Sequence, residues 1–403
     1  MRKVLRIIVP VLILLLIIGG ILLANNWSAL KRLRTAMSLF EKDKIVENFL
    51  HIEDKFWTSE IKPGPQPTVL PKGKTLQLPQ SFTYKDSTIN LYDYIDYTNT
   101  NGFLVIQRDS IVYEKYFNGM KENTSHISWS VAKSFTSAIF GMLVDEGKID
   151  ISKNVEDYLP QFVGSAYEGV TVQNVLQMSS GVAFDEDYRD FNSDINKFGR
   201  HFALGRSLEK FCLEMRRDKE PGTFNHYVSL NTQVLSMIAS KVSGESFTEL
   251  MQKRIWDKMG MEHKAQWVVD ETGTEMALGG FNASLRDYGK FGVLFLHEGN
   301  WKGEQLVSKE WVKASLTPDA PHLMPGADNP NSNNPYGYGF QWWLPENPKN
   351  DFLACGIYSQ FIYVNRDKDL VIVKLTANHR FKDENDNSKD IHFHLFQDLA
   401  ESL

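Results

Sequence analysis

A serine and a lysine stand three residues apart in the segment SWSVAKSFTSAIF, residues 128–140. The segment begins with small polar residues and then becomes apolar, which predicts the start of a buried helix. Side chains three residues apart on a helix are neighbours, with Cβ atoms roughly 5–6 Å apart. We therefore expect Ser130 and Lys133 to lie close together, as a nucleophile and its base would.

The protonation state of Lys133 decides whether this pair could catalyse a reaction. A free lysine has a pKa near ~10.4, which must fall by about three before the amine can act as a base at neutral pH. Burial lowers the pKa of a lysine by up to several units. Ser130, at the helix start, also offers its backbone N–H to a developing oxyanion. The structural alternative is that Ser130 caps the helix and the amine of Lys133 reaches solvent, and the spacing alone favours it.

The Ser-x-x-Lys spacing occurs three times in the chain, so its context has to select among the copies. Ser28 and Lys31 adjoin the apolar N-terminal segment, and Ser207 and Lys210 lie in a charged amphipathic segment. Only Ser130 follows a predicted strand hairpin and precedes an apolar helix. This context identifies the Ser130 copy as the candidate site.

Two further segments place polar groups and a glycine next to predicted elements. EPGTFNHYVSLNTQVLSM puts Tyr227 after a Pro-Gly turn and before an apolar helix. FLACGIYSQFIYVN puts Gly356 between two β-rich runs, where a strand edge can supply a second N–H donor. Cys355 has no histidine partner nearby in the sequence, so we interpret it as a small core residue.

Strands near both ends of the chain must position these groups. GFLVIQRDSIVYEKYF predicts a hairpin, and FLACG, QFIYVN and LVIVKLT predict three more strands. Residues from about 150 to 345 are mostly helical patches and loops. The pattern therefore predicts one sheet built from distant parts of the chain, a second helical lobe, and a site at the seam between them.

The composition excludes several classes of protein. The chain has 403 residues, of which 42% are hydrophobic and 23% charged, as in a globular protein with a sizeable core. A net charge of −6 gives no reason to expect a nucleic-acid partner, and two cysteines are too few for a disulfide framework. Neither Gly-x-Ser-x-Gly nor a phosphate-binding glycine loop occurs, which argues against an α/β-hydrolase or a nucleotide enzyme. We expect no cofactor and no metal.

The N-terminal segment is apolar and uncharged from Ile7 to Ala24. It has about the minimum length of a membrane-spanning helix, and Arg2, Lys3 and Arg6 precede it. We expect residues 1–26 to form a single-pass anchor in the cell membrane, with the catalytic domain on the periplasmic or other extracytoplasmic side. A cleaved signal peptide is the alternative, but no small-x-small cleavage site follows.

Five segments occur in the order found in one enzyme family: SWSVAKSFTS, VLQMSSGV, PGTFNHYVS, GGFNASLRDYGKFG and ACGIYSQFIYVNRDKDLVIV. The chain resembles the serine β-lactamase-related hydrolases, in particular the branch of 6-aminohexanoate-dimer hydrolases and class C-like esterases, over roughly residues 40–400. The resemblance implies a β-lactamase-like α/β (α+β) fold, with an antiparallel sheet flanked by helices plus an all-α lobe. We expect a helix and a proline-rich tether at 27–75, then a two-lobed hydrolase domain at 76–403 with its helical insertion at about 150–345.

The resemblance also implies catalytic roles. Ser130 would be the acylated nucleophile, Lys133 its base partner and Tyr227 the second proton-transfer group. The backbone N–H groups of Ser130 and Ile357 would form the oxyanion hole. Which of Lys133 and Tyr227 takes the first proton stays open, because the pair can titrate as one unit.

Two residues are expected on the substrate side, and one departure bears on the substrate. Gly356 and Tyr188 would line the substrate, although Tyr188 could equally be an aromatic that packs on the rim. Penicillin-recognising relatives carry Lys-Thr-Gly or His-Thr-Gly on the last catalytic strand, where this chain has Ala354-Cys355-Gly356. The change removes a cation and a hydroxyl that hold a substrate carboxylate, which argues against β-lactam or peptidoglycan substrates.

The expected function is therefore that of a membrane-anchored serine hydrolase, cleaving small esters or linear amides through an acyl-enzyme at Ser130. One alternative is a penicillin-binding protein or β-lactamase-type peptidase. The other is a non-catalytic receptor for cell-wall fragments with the same fold. The sequence leaves the oligomeric state open.

Overall fold

The structure is a computed structural model that describes residues 2–383 and 388–403. Its α-helices are α1 (Arg2–Asn25), α2 (Trp27–Ser38), α3 (Ile45–Leu50), α4 (Leu91–Tyr97), α5 (Ala132–Asp145), α6 (Val155–Tyr158), α7 (Val172–Leu176), α8 (Asp194–Ala203), α9 (Leu208–Leu213), α10 (Ser229–Ser243), α11 (Phe247–Met251), α12 (Asp257–Met259), α13 (Leu285–Leu296), α14 (Lys309–Ser315) and α15 (Ser388–Glu401).

The strands are mostly short. They are β1 (Thr58–Ile61), β2 (Ser81–Tyr84), β3 (Ser87–Asn90), β4 (Thr100–Gln107), β5 (Ser110–Tyr116), β6 (His126–Ile127), β7 (Val182–Ala183), β8 (Arg216–Arg217), β9 (Ala265–Val268), β10 (Phe281–Ala283), β11 (Asn300–Trp301), β12 (Glu304–Gln305), β13 (Gly337–Tyr338), β14 (Trp343–Leu344), β15 (Asp351–Gly356), β16 (Gln360–Asn365) and β17 (Leu370–Thr376).

The main sheet has seven strands in the order β13-β14-β15-β16-β17-β4-β5, and every neighbouring pair is antiparallel. Strands β4 and β5 form the predicted hairpin, and β15, β16 and β17 are the three predicted C-terminal strands. The two groups join where β17 pairs with β4, for example Val373 with Leu104. The prediction of one antiparallel sheet built from distant parts of the chain is confirmed.

Helices cover both faces of this sheet. On one face α13 packs against Leu104, Ile106 and Val371. A Cβ added at Gly289 would lie 2.7 Å from side-chain atoms of Leu104 and Ile106, and one at Gly292 would lie 2.5 Å from Val371. Glycine at both positions therefore lets the helix approach the sheet closely. The intervening residues of β4 pack with α15 in a second cluster on the opposite face.

The segment 150–345 contains helices α6 to α14 with loops between them, and it also contributes strands to a second sheet. This four-stranded sheet has the order β1-β9-β10-β6 and lies beside the candidate site. All residues of β9 and β10 are buried. Short buried runs of this kind cannot be told from buried helix by periodicity, which is why the pattern did not reveal them.

The predicted membrane anchor at residues 1–26 is wrong. The segment forms α1, but none of the helices among the described residues is long and apolar enough to cross a membrane. The uncharged run from Ile7 to Ala24 only just reaches the length a bilayer requires, and it contains Pro10, which removes a helix hydrogen bond. The expected single-pass topology and cell-membrane localisation depended on this anchor and lose their basis.

The next helix, α2, packs against the body of the protein. The Nε of Arg32 donates a hydrogen bond of 3.3 Å to the carbonyl of Ala203 in α8, and its guanidinium lies 3.9 Å from the centre of the Trp57 ring. The proline-rich stretch that follows also lies along the protein, where the N–H of Gly64 donates to the carbonyl of Met261. The segment 27–75 thus contacts the rest of the protein at Ala203 and at Met261.

Candidate active site

Ser130 lies in a 3-10 turn, Trp129–Val131, immediately before α5. The N–H of Ser128 donates to the carbonyl of Phe281 at 3.0 Å, which fixes this turn to β10. Trp129 has φ +48°, in the left-handed region that costs a non-glycine residue on the order of 1–3 kcal/mol. The fold therefore holds the residue before the serine in a strained conformation, as is typical of functional sites.

Lys133 occupies the first turn of α5 and points back to the serine. Its Nζ lies 2.9 Å from the Oγ of Ser130 and also donates to the carbonyl of Leu278. The residue is 1% exposed. Burial lowers the pKa of Lys133 to about 7, against the opposing effect of the Glu186 carboxylate. A substantial fraction of the amine is therefore unprotonated at neutral pH and able to accept the hydroxyl proton.

Tyr227 approaches the same two residues from the start of α10. The Nζ of Lys133 lies 5.2 Å from the centre of its ring, and the ring stacks on Trp343 at 5.2 Å. Burial raises the pKa of the Tyr227 phenol well above its usual value, and contact with the Ser130 hydroxyl acts in the opposite direction. The phenol stays protonated at neutral pH, which suits a proton donor better than an initial base.

The end of β15 lies directly against the turn that carries Ser130. A Cβ added at Gly356 would lie 2.3 Å from the carbonyl oxygen of Ser128 and 3.1 Å from the amide nitrogen of Ser130. Only glycine fits at this distance. Ile357 follows at the strand end and lines the same cavities as Ser130. The two amides expected to form an oxyanion hole therefore lie on neighbouring elements.

Two cavities meet at Ser130, and Tyr188 and Ile357 line both of them. The apolar cavity measures about 280 Å³ and extends between α2 and α8. The second cavity, called the polar cavity here because of the polar side chains among its lining residues, measures about 230 Å³. Its polar side chains, besides those that line both cavities, are those of Glu186, Tyr227, Asn334, Cys355, Ser359, Ser388 and Lys389. Tyr188, expected on the substrate side, thus lies beside the serine at the junction of the two cavities.

Glu186 is a polar group of this site that the sequence did not single out. Its carboxylate accepts hydrogen bonds from the Tyr188 hydroxyl at 3.0 Å and from the Ser229 N–H at 2.6 Å. Desolvation raises the pKa of the carboxyl, while Lys133 and these hydrogen bonds act to lower it. The loop FDEDYRD contains four acidic residues, and nothing in their spacing indicates which one turns inward.

Lys389 is a second cation that the sequence did not single out. It comes from α15, and its Nζ lies 3.4 Å from the centre of the Trp343 ring and 4.9 Å from that of Tyr336. Burial lowers the pKa of Lys389 to about 8. No local motif marks this lysine, because only the packing of the C-terminal helix brings it to the cavity. It supplies a positive charge on the side of the site where the Ala-Cys-Gly triplet lacks one.

Other candidate chemistry is not supported by the geometry. Burial raises the pKa of the Cys355 thiol to about 11, so it carries little of the nucleophilic thiolate at neutral pH. Within residues 2–383 and 388–403, no three His, Cys, Asp or Glu side chains come together as a metal site would require.

Known proteins share both the sequence pattern and the fold. A beta-lactamase family profile matches residues 101–395. The 6-aminohexanoate-dimer hydrolase of Paenarthrobacter ureafaciens is 30% identical over 290 residues, covering 70% of this chain and 74% of that protein. A beta-lactamase from Providencia stuartii is 26% identical over 144 residues, covering 36% of this chain and 34% of its own.

A solved structure from Bacillus anthracis, described as a candidate 6-aminohexanoate-dimer hydrolase, superposes with a TM-score of 0.80 at 24% identity. The match covers 90% of this chain and 95% of that one. It confirms the expected β-lactamase-like fold. The family match over most of the chain, together with the relative at 30% identity, shows that the chain belongs to the beta-lactamase family and is a serine hydrolase.

Proposed function

We propose that this protein hydrolyses small esters or linear amides through an acyl-enzyme at Ser130. The observation that supports this most directly is the buried Lys133 amine, 2.9 Å from the Ser130 hydroxyl and with its pKa lowered to about 7. A lysine in that state can take a proton that an exposed lysine could not.

In the first step, the neutral Lys133 amine accepts the Ser130 proton while Oγ bonds to the substrate carbonyl carbon. One N–H of the amine is directed to the carbonyl of Leu278, so a lone pair can face the hydroxyl. The carbonyl oxygen becomes an oxyanion, and the N–H groups of Ser130 and Ile357 would stabilise it. Each such donor contributes a factor on the order of 10²–10³ to the rate.

In the second step, the bond to the leaving group breaks and the Tyr227 phenol protonates the departing oxygen or nitrogen. The Lys133 ammonium can then return the serine proton to the phenolate, which restores both groups. Water next attacks the acyl-enzyme, and the same groups take a proton from the water and return one to Ser130. The net reaction is hydrolysis, with no cofactor required.

The substrate class follows from the polar groups present and from the relatives. The relative at 30% identity is named as a hydrolase of the 6-aminohexanoate dimer. Strand β15 carries Ala354, Cys355 and Gly356 where penicillin-recognising relatives carry a cation and a hydroxyl. Lys389 brings a positive charge to this side from another element, but its Nζ lies over the Trp343 ring, 3.4 Å from the ring centre. The relative and the β15 triplet both favour a linear amide or ester over a β-lactam. Tyr188 and Gly356 would contact the substrate beside the oxyanion hole.

The test is turnover of p-nitrophenyl esters by the full chain, with intact-mass detection of the acyl-enzyme. We expect Ser130→Ala to abolish both the burst of p-nitrophenol and the acyl adduct. Ser207→Ala is the matched control, because Ser207 has the same Ser-x-x-Lys spacing but caps α9, where its hydroxyl accepts from the Lys210 N–H. Unchanged turnover in Ser130→Ala would refute the assignment. Stable labelling of Ser130 by a fluorescent penicillin would instead favour the peptidase alternative.

A further inference from the structure

The apolar cavity beside Ser130 has a wall that the catalytic groups do not explain. Its lining includes Phe40, Phe56, Phe198 and Phe202, and α2 forms one side of it. We propose that this cavity binds the acyl part of the substrate, and that this acyl group is an uncharged hydrocarbon chain of medium length. The proposal rests on the proposed function and specifies the substrate of that same site.

The position of Tyr227 assigns the two ends of the substrate to the two cavities. The leaving group must reach the phenol that protonates it, and Tyr227 lines the polar cavity but not the apolar one. Ser130 and Ile357 line both, so the reacting carbonyl lies at their junction. The part of the substrate that stays on the serine therefore extends into the apolar cavity.

Asn196 and Arg200, two polar residues in the wall of the apolar cavity, donate hydrogen bonds to carbonyls of the protein. Asn196 donates from its side-chain amide to the carbonyls of Tyr188 and Asp190, at 3.1 and 2.8 Å. Arg200 donates to the carbonyl of Phe191 at 2.7 Å and lies 3.9 Å from the centre of that ring. Both side chains present N–H donors to the cavity, and none of the described residues in its lining is an Asp or Glu. An acyl group with a terminal ammonium would therefore be desolvated without a counter-charge, whereas a hydrocarbon chain would not.

The mouth of the cavity is apolar as well. Met37 of α2 and Phe191 both line the cavity and are 65% and 62% exposed. Large exposed apolar side chains at the rim of a pocket are typical of a ligand path. An acyl chain that is too long for the enclosed cavity can thus continue between these two side chains towards the surface.

The chain-length dependence of turnover tests the proposal directly. For the wild-type protein, kcat/KM should rise at least about tenfold from p-nitrophenyl acetate to the octanoate, since each buried methylene contributes roughly threefold to fourfold. An ester of 8-aminooctanoate, which has the same chain with a terminal ammonium, should lose most of that gain. A flat chain-length profile, or equal turnover of the charged ester, would overturn the proposal.

Gly199 of α8 lies at an exposed position in the lining of the cavity, where a larger side chain would narrow it. It lines the cavity, and a Cβ added there meets no atom within 4 Å. We expect Gly199→Phe to lower kcat/KM for the octanoate at least about tenfold while the acetate changes less than about twofold, because only the long chain reaches the new ring. Lys197→Phe, at an exposed position of the same helix that does not line the cavity, is the control and should leave both esters unchanged. An equal loss for both esters would contradict the assignment.

Met37→Glu is a second variant that does not depend on packing inside the cavity. The side chain is mostly exposed, so the substitution leaves the fold intact and places a carboxylate at the mouth. It should disfavour the octanoate and dodecanoate but not the acetate. If Ser130 is acylated but neither variant changes the chain-length dependence of turnover, this inference alone is refuted. Failure of every ester to acylate Ser130 refutes the proposed function and this inference with it.

Discussion

The Nζ of Lys133 lies 2.9 Å from the Oγ of Ser130, in a part of the fold where the lysine is 1% exposed. The same burial that brings the pair together lowers the pKa of the amine to about 7. Proximity and basicity thus have one structural cause, the packing of α5 into the core. A change in this packing should therefore alter both the distance between Lys133 and Ser130 and the pKa of Lys133.

The pH dependence of ester hydrolysis should follow the deprotonation of Lys133. We expect kcat/KM to rise with pH and to reach half its maximum near pH 7, because only the neutral amine accepts the serine proton. The phenol of Tyr227 has its pKa raised well above the usual value, so no fall from its ionisation is expected up to pH 9. A pH–rate profile from 5 to 9 measures this, and a flat profile would contradict the role of the lysine.

Glu186→Gln should move the rising limb of that profile to lower pH. The Glu186 carboxylate raises the pKa of Lys133, so its neutralisation lets the amine lose its proton more easily. We expect kcat/KM at pH 6 to be about twofold to tenfold higher than in the wild type, if measured on an activated ester. Glu304→Gln, at an exposed position paired with Lys258, is the control that should not shift the limb. A shift to higher pH would reverse the assigned electrostatic role.

Tyr227→Phe should affect substrates according to their leaving groups. Loss of the phenol removes the donor that protonates the departing atom, an effect of about 10²–10⁴ in rate for general acid catalysis. A poor leaving group such as an alkylamine depends on this proton, whereas p-nitrophenolate leaves without it. We therefore expect anilide or alkylamide cleavage to fall far more than p-nitrophenyl ester cleavage. Equal losses on both substrates would indicate that Tyr227 only positions its neighbours.

Gly356→Ala should disable the oxyanion hole. The added methyl would lie 2.3 Å from the carbonyl oxygen of Ser128, so the strand end or the serine turn must move. Because the Ser130 amide lies 3.1 Å from the same methyl position, we expect kcat to fall by about 10²-fold or more, as when a single oxyanion donor is lost. Gly20→Ala in α1, where no atom lies within 4 Å, is the matched glycine control. Single-turnover acylation rates separate this loss from weaker substrate binding, and an unchanged acylation rate would argue against an oxyanion hole at this strand end.

The sequence predicted from local geometry that Ser130 and Lys133 lie close together, and the catalytic roles in the candidate site stay predictions. Ser130 and Lys133 are adjacent because one helical turn joins them, and Tyr227 lies at a recognisable turn before a helix. Glu186 and Lys389 were missed because their approach depends on how an irregular loop and the last helix pack onto the sheet. Such contacts leave no periodic signal in the sequence.

The same distinction explains the errors at the level of the fold. The long strands of the main sheet were found because apolar runs and turn residues alternate there. Strands β9 and β10 were not, since four and three buried residues carry too little pattern. The anchor was predicted from hydropathy at the minimum length, and α2, just beyond it, packs against α8 through the Arg32 hydrogen bond to Ala203.

The last prediction concerns stability, because a buried lysine destabilises the fold that makes it basic. In the unfolded chain the pKa of Lys133 is near ~10.4, and in the fold it is about 7. Between these values the unfolded chain binds more protons, so the free energy of unfolding rises with pH across this window. The full destabilisation from burying Lys133 is present below about pH 7. At pH 7 this difference amounts to roughly 4 kcal/mol.

Lys133→Met removes that burden with a side chain of similar length, but it leaves the Leu278 carbonyl without this donor, a loss of about 1–3 kcal/mol. We expect the inactive variant to be more stable than the wild type by about 1–3 kcal/mol at pH 7. This advantage should shrink as the pH is raised towards 10, because the wild-type lysine is then less protonated in the unfolded chain. Urea unfolding at pH 7 and 9.5 measures it, with Lys258→Met as an exposed control. A variant that is destabilised equally at both pH values would mean that the burial of Lys133 does not oppose its charge.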